Sequence, residues 1–399
     1  MKRLLDAPHR LFFFSAVVQL LLASAWWAAT LMLRAQGSPP PAASGLDPVR
    51  MHAFLMVYGF FAYFVFGFLF TAGPRWLEVP GPTRREYVPA GIAMGLAGAL
   101  LYPALAAGRP FVAACAALMA VAWLFNAARF WRLVAKSAAT DRLHAKLAAA
   151  AVTAGGIGVL VFATGIATES DRLLRVSQSI GVWAFLVPLF CTVCHRMLPF
   201  FTANALPFVK AWRPGWLLAA LYAGSLAHGT IDALECPQWL WIVDVPLAIT
   251  GFSISRRWGV AKTLGNRLLA MLHIGFLWIG IAFALHAVQS MLLLAGVHAL
   301  GLAPVHAFTI GFLASVTLAM VSRVSCGHSG RMLAADRLTW YAFLLLQTAA
   351  ALRVAADLWP AHYGALLLAA AGCWLACFGP WACRYLPLYW RPRADGRPG

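Results

Sequence analysis

Eleven histidines and eight cysteines are the residues of this chain best suited to chemistry. Imidazole and thiolate bind d-block metal ions and haem iron, and imidazole also carries protons near neutral pH. His52 and His306 each open an apolar run. Two imidazoles at matched depth in a helix bundle can hold a haem iron or a copper ion. Two interfacial histidines bonded to backbone or water are the plainer alternative. His228 and Asp232 sit one helical turn apart and share a face, with Asp244 a short distance further along the chain. These three could form a metal site, a carboxylate that orients a ligand histidine, or a proton path. A buried polar clasp between adjacent helices fits the same pattern. Arg353 and Asp357 have the same spacing and read as a structural ion pair, or as an arginine that holds an anionic group such as a haem propionate.

A second constellation joins Cys191, Cys194 and His195 with Cys326, His328 and His273. Soft-to-intermediate ligands of these types suit copper, zinc or haem, although buried cysteines often serve as small hydrophobes. Two basic turns accompany them. One runs from His195 and Arg196 to Thr202, and the other from Arg323 through Gly327 and Gly330 to Arg331. Arginine beside a helix end holds a propionate, a phosphate or a lipid head group, or simply anchors the helix on the cytoplasmic side.

The elements that position these groups must be membrane helices. Hydrophobic residues make up 62% of the chain and charged residues 11%, against about 25% charged in a soluble domain. That balance excludes a cytosolic enzyme, a disordered protein and a typical nucleic-acid binder. Apolar runs of about 20 residues predict twelve spans, at 11–32, 51–73, 87–107, 110–131, 144–167, 173–195, 215–233, 237–255, 268–289, 304–324, 339–358 and 362–383. The segment 290–301 continues span nine or lies at the interface. The first apolar run continues past Ala23-Ser24-Ala25, so it reads as a retained helix rather than a cleaved signal. Of the 31 Lys and Arg, 25 fall at the ends and in the loops after even-numbered spans, which explains the net charge of +18 and predicts both termini in the cytoplasm.

The fold expected is therefore an all-α polytopic bundle, one integral-membrane domain over 1–399 with a short, basic, disordered tail at 390–399, in contact with the lipid bilayer and with no nucleic-acid partner. No disulfide framework, sequence repeat or transporter-style inverted repeat is evident. This topology places His52, His228, His286, His298, His306 and His362 near the external face. It places His9, His144, His195, His273 and His328 near the cytoplasmic one, with His9 and His144 expected to be solvated. The string Cys191-Thr192-Val193-Cys194-His195 matches the C-x-x-C-H signal for covalent haem. That attachment takes place on the outer side of bacterial membranes, so at the inner end of a helix the match reads as chance.

Three segments carry a family resemblance. They are His306-Ala307-Phe308-Thr309-Ile310-Gly311 with Thr317–Arg323 and Gly327-His328-Ser329-Gly330-Arg331; Arg196-x-x-Pro199-Phe200-Phe201-Thr202; and His52-Ala53-Phe54-Leu55-Met56 with Gly59-Phe60, Gly67-Phe68-Leu69 and Thr71-Ala72. Together with His273, Gly275 and Trp278, the chain resembles the NnrS family of bacterial membrane proteins over essentially its whole length. The resemblance implies a multi-pass protein of the bacterial inner membrane that binds non-covalent haem and copper. It implies a role in nitric oxide metabolism or protection from nitrosative stress, with nitric oxide or a nitrosyl species as the small-molecule ligand. It implies family histidine sites at His52, His273, His306 and His328, and arginines at Arg196, Arg323 and Arg331, with His52 and His306 as the foremost haem ligands. Phe54 and Leu55 stand where relatives have a second His and a Glu. Cys194, His195 and Cys326 stand where small or apolar residues are common, which raises an altered cytoplasmic metal site. A haem-dependent reaction, a multi-span exporter of a small species and a non-catalytic assembly factor for a respiratory complex are the functions weighed. Discontinuous helices or repeats would mark the exporter. A haem–copper oxidase is disfavoured because no adjacent His-His pair occurs.

Overall fold

In the computed structural model, which describes residues 2–38, 45–206 and 208–396, the chain is helical and holds no strand among those residues. Twelve long helices follow one another: α1 (Pro8–Ala35), α2 (Pro48–Leu77), α3 (Arg84–Ala107), α4 (Arg109–Lys136), α5 (Leu143–Ala167), α6 (Asp171–Ala205), α7 (Gly215–Ala233), α8 (Trp241–Arg257), α9 (Arg267–Leu294), α10 (Ala303–His328), α11 (Arg337–Leu358) and α12 (Pro360–Tyr389). Each overlaps one expected span. Ten of them, all but α7 and α8, are long and apolar enough to cross a bilayer. The chain is a multi-pass membrane protein. With 17 residues, α8 is about 26 Å long, short of the roughly 30 Å hydrocarbon core. The apolar segment after span nine is divided: α9 continues to Leu294, and the residues beyond it form turns.

Local signals set the helix ends. The side chains of Asp47, Ser170, Asn266 and Asp336 accept from backbone amides at the starts of α2, α6, α9 and α11, and Thr83 with Glu86 forms a capping box on α3. Glu78, Glu169 and Glu235 adopt left-handed backbone just after α2, α5 and α7, a position more often given to glycine.

Among the described residues, three helices contain a π-helical stretch: Leu55–Phe60 in α2, Ile180–Leu186 in α6 and Ala307–Ala314 in α10. Such wide turns recur at functional sites. One of them follows, and another begins within, a Pro-Val…His-Ala-Phe string. These strings are Pro48-Val49-Arg50-Met51-His52-Ala53-Phe54 and Pro304-Val305-His306-Ala307-Phe308.

The described residues divide into two compact units, one made of the residues up to Leu189 with Leu386–Pro392, the other of Phe190–Tyr385 with residues 393–396. Inside the first, the Tyr58 hydroxyl donates to the Ser177 carbonyl at 2.6 Å, and the Ser177 hydroxyl donates to the Gly158 carbonyl at 2.8 Å. Trp123 Nε1 donates to the Val152 carbonyl at 2.6 Å, so the polar edges of these large rings are satisfied within the apolar interior. Inside the second, Trp278 Nε1 donates to Gln347, and Gln347 donates to Ser315 beside the π turn of α10.

Two expectations are corrected. His9 and His144 are not solvated but buried, at 5% and 4% exposure, because the first turns of α1 and α5 are packed rather than splayed into water. The tail is not loose through its described length. In the first unit Arg10 donates to the carbonyls of Tyr389 and Arg391. In the second, Arg393 donates to the His328 carbonyl and the Ala394 amide to the Ser329 carbonyl.

Candidate metal centre

Among the described residues, His228, Asp244 and His286 form a group of ligand-type side chains whose donor atoms all lie within 4.8 Å of one another. They come from three consecutive helices of the second unit. His228 lies in the last two turns of α7, Asp244 in the first turn of α8, and His286 toward the end of α9. The turn through Glu235 reverses the chain between α7 and α8, so the end of one meets the start of the next. α8 then lies closely against α9. A Cβ at Gly251 would stand 3.0 Å from the Gly280 backbone, so the small residue permits the approach that brings Asp244 to His286. One rung further out, the Trp241 amide donates to the Ser290 hydroxyl at 3.0 Å.

The geometry is that of a polar site in an apolar enclosure. His228, Asp244 and His286 are 1%, 0% and 6% exposed. His228 Nδ1 donates to Asp244 Oδ1 at 2.7 Å. The two imidazoles are 4.8 Å apart and nearly perpendicular, at 80°. Phe283 and Phe308 pack edge-on to each other beside them. Asp244 Oδ2 is shielded from solvent and has no hydrogen-bond partner among the described residues. A buried carboxylate oxygen left bare costs several kcal/mol, and a cation on that oxygen removes the cost. Asp232, which the sequence groups with His228, is exposed and stands outside the cluster.

The other candidate residues divide by surroundings. His306 is half-buried, and its Nδ1 donates to the Leu302 carbonyl at 2.9 Å. That bond holds the tautomer in which Nε2 carries a lone pair, as in most metal-bound histidines. In the first unit His52 stacks on Trp27, with ring centroids 4.0 Å apart and planes within 16°. His273 is 1% exposed, and its Nε2 lies 2.8 Å from the Thr202 hydroxyl. The Arg323 guanidinium rests 4.0 Å over the Phe201 ring. His195 Nε2 donates to the Pro214 carbonyl at 3.1 Å. Cys191 and Cys194 are buried and Cys326 is half-buried. Arg196 and Arg331 are half-buried too, Arg331 in the turn that closes α10, where its amide donates to the Cys326 carbonyl. His195, Cys194, His273, Cys326 and His328 do not gather into a ligand-sized group of three or more among the described residues. Arg353 and Asp357 form the expected ion pair at 2.7 Å.

His228 and Asp244 were therefore legible as neighbours, and His286 as their third member was not. A signal existed: consecutive helices joined by a short connection place the end of one beside the start of the next. Asp244 starts α8 and His286 nears the end of α9.

Residues 3–393 match the family model described as NnrS protein. No curated protein matches the chain.

Proposed function

The chain belongs to the NnrS family, and from that membership we propose that it binds haem and copper in the bacterial inner membrane and acts in nitric oxide metabolism or protection from nitrosative stress. The observation that carries the haem reading is the hydrogen bond from His306 Nδ1 to the Leu302 carbonyl, which leaves Nε2 as a ligand nitrogen. Bound haem iron would supply a binding site for nitric oxide, which is neutral and membrane-soluble and needs no polar channel.

The protein's own residues take the remaining roles. His306 would hold the iron through Nε2, and its Nδ1 bond to the Leu302 carbonyl fixes its ring in the first turn of α10. His52 is the corresponding ligand of the first unit, held in plane by Trp27. His273 and His328 would be further ligand positions, and Arg196, Arg323 and Arg331 would hold propionates or other anionic groups. Phe54 stacks on Phe162 at 3.9 Å, so the position where relatives have a second histidine is an apolar contact here, and any metal site that needed that histidine is lost or rebuilt on other residues.

The test is the visible spectrum of the detergent-purified protein, oxidised, reduced and with nitric oxide, for wild type and His306→Ala. The expected outcome is a Soret band that moves with nitric oxide in the wild type and is lost in an H306A protein that still inserts. Full haem retention in H306A would remove His306 from the ligand set.

A further inference from the structure

We propose that His228, Asp244 and His286 form a mononuclear site for a divalent d-block metal ion, separate from any haem position, with at least one coordination position left for a small exogenous ligand. The donor set is two imidazoles and one carboxylate, contributed by three helices. That combination suits Cu(II), Zn(II) or Fe(II) and disfavours both soft Cu(I), which seeks sulfur, and hard Mg(II), which seeks an all-oxygen shell. No cysteine belongs to the group.

Three observations carry the assignment beyond proximity. All three side chains are more than nine-tenths buried, in a chain whose apolar composition makes each of them costly to place there. Asp244 Oδ2 has no hydrogen-bond partner among the described residues. A purely structural clasp would require only the His228–Asp244 bond, and neither the bare carboxylate oxygen nor the second imidazole set across from it.

Metal binding asks for one rearrangement. The His228 ring proton, now on Nδ1 and shared with Asp244, moves to Nε2, so that Nδ1 becomes a ligand nitrogen beside the carboxylate. Protein ligands then number three, the pattern of sites that keep a position open. One carboxylate and two neutral imidazoles leave a divalent ion with one uncompensated positive charge in a low-dielectric setting. The open position therefore favours hydroxide or another small anion over a neutral ligand.

The experiment uses the full-length protein in detergent, stripped with EDTA and titrated with Cu(II), read by electron paramagnetic resonance, with the Soret region recorded on the same samples. One equivalent of Cu(II) showing hyperfine coupling to at least two nitrogens is expected. His286→Gln and Asp244→Asn should weaken binding at least tenfold and alter the copper spectrum while leaving the Soret region as in wild type. Azide added to the copper-loaded wild type should change the spectrum, because it fills the open position. A copper signal without nitrogen coupling, or one unchanged in H286Q, overturns the site. Loss of the Soret band together with copper in H286Q overturns its separateness from haem. If H286Q does not accumulate, the nitrogen count in the wild type decides. Absence of a Soret band in the wild type would defeat the haem reading and leave the copper result intact.

Discussion

Thr202 and His273 show how one hydroxyl can dictate what a buried imidazole offers. The Thr202 hydroxyl has a single hydrogen and lies 2.8 Å from both the Leu198 carbonyl and His273 Nε2. A carbonyl can only accept, so the hydroxyl hydrogen goes to Leu198, and His273 Nε2–H donates to the hydroxyl oxygen. Nδ1, which has no hydrogen-bond partner among the described residues, then carries the lone pair. Thr202→Val removes the acceptor and leaves a buried N–H bare, at a cost of about 1–3 kcal/mol, whereas Thr202→Ser keeps it. Thermal unfolding in detergent should place T202V clearly below wild type and T202S close to it; equal stability of T202V would refute this hydrogen-bond assignment. The sequence marks His273 as a candidate ligand and Thr202 as the end of a basic turn, but not their contact. Which histidine meets which partner depends on how each helix is rotated about its axis, and hydropathy in a span that is apolar all round says little about rotation. The same ignorance kept His286 apart from His228 and Asp244, while Asp232, one turn from His228, is exposed and is not a member of the cluster.

At the scale of elements, the twelve helices were legible because membrane thickness imposes a length that apolar runs must meet. The π turns were not, since a wide turn has no compositional mark and arises from packing. The one in α2 carries Tyr58, whose ring reaches α5 and α6. An added Cβ at Gly158 would lie 2.0 Å from the Tyr58 hydroxyl oxygen, and one at Gly181 would lie 2.5 Å from Val57 and 2.7 Å from that same oxygen. The Tyr58 ring is therefore seated against two helices at positions where only hydrogen fits. Gly158→Ala should displace it, break its bond to Ser177 and cost about 1–3 kcal/mol or more through overpacking. Tyr58→Phe removes the clashing oxygen, so G158A combined with Y58F should be more stable than the sum of the two single changes predicts. The check is a double-mutant cycle of unfolding midpoints; strict additivity would show that Gly158 and Tyr58 do not share this contact.

For the whole molecule, charge distribution carries information that helix packing does not. A bundle of helices folds equally well either way up, and only the asymmetry of Lys and Arg between loops orients it. The division into two compact units had no counterpart in the sequence, which shows no linker or composition shift at Leu189. The unit boundary falls inside the continuous helix α6, where hydropathy is unbroken. Two native cysteines can report the orientation. Cys236 is half-buried in the turn between α7 and α8, and Cys383 is exposed near the end of α12. The positive-inside rule, which puts 25 of the 31 basic residues on the cytoplasmic side, predicts Cys236 at the outer face and Cys383 at the inner. In variants that keep one of the two and no other cysteine, a membrane-impermeant maleimide should reach Cys236 in intact spheroplasts and Cys383 in inside-out vesicles. The opposite pattern would invert the topology. His228, Asp244 and His286, which lie at the same end of α7–α9 as Cys236, would then open toward the cytoplasm, and the small anion expected at their metal would have to come from that side.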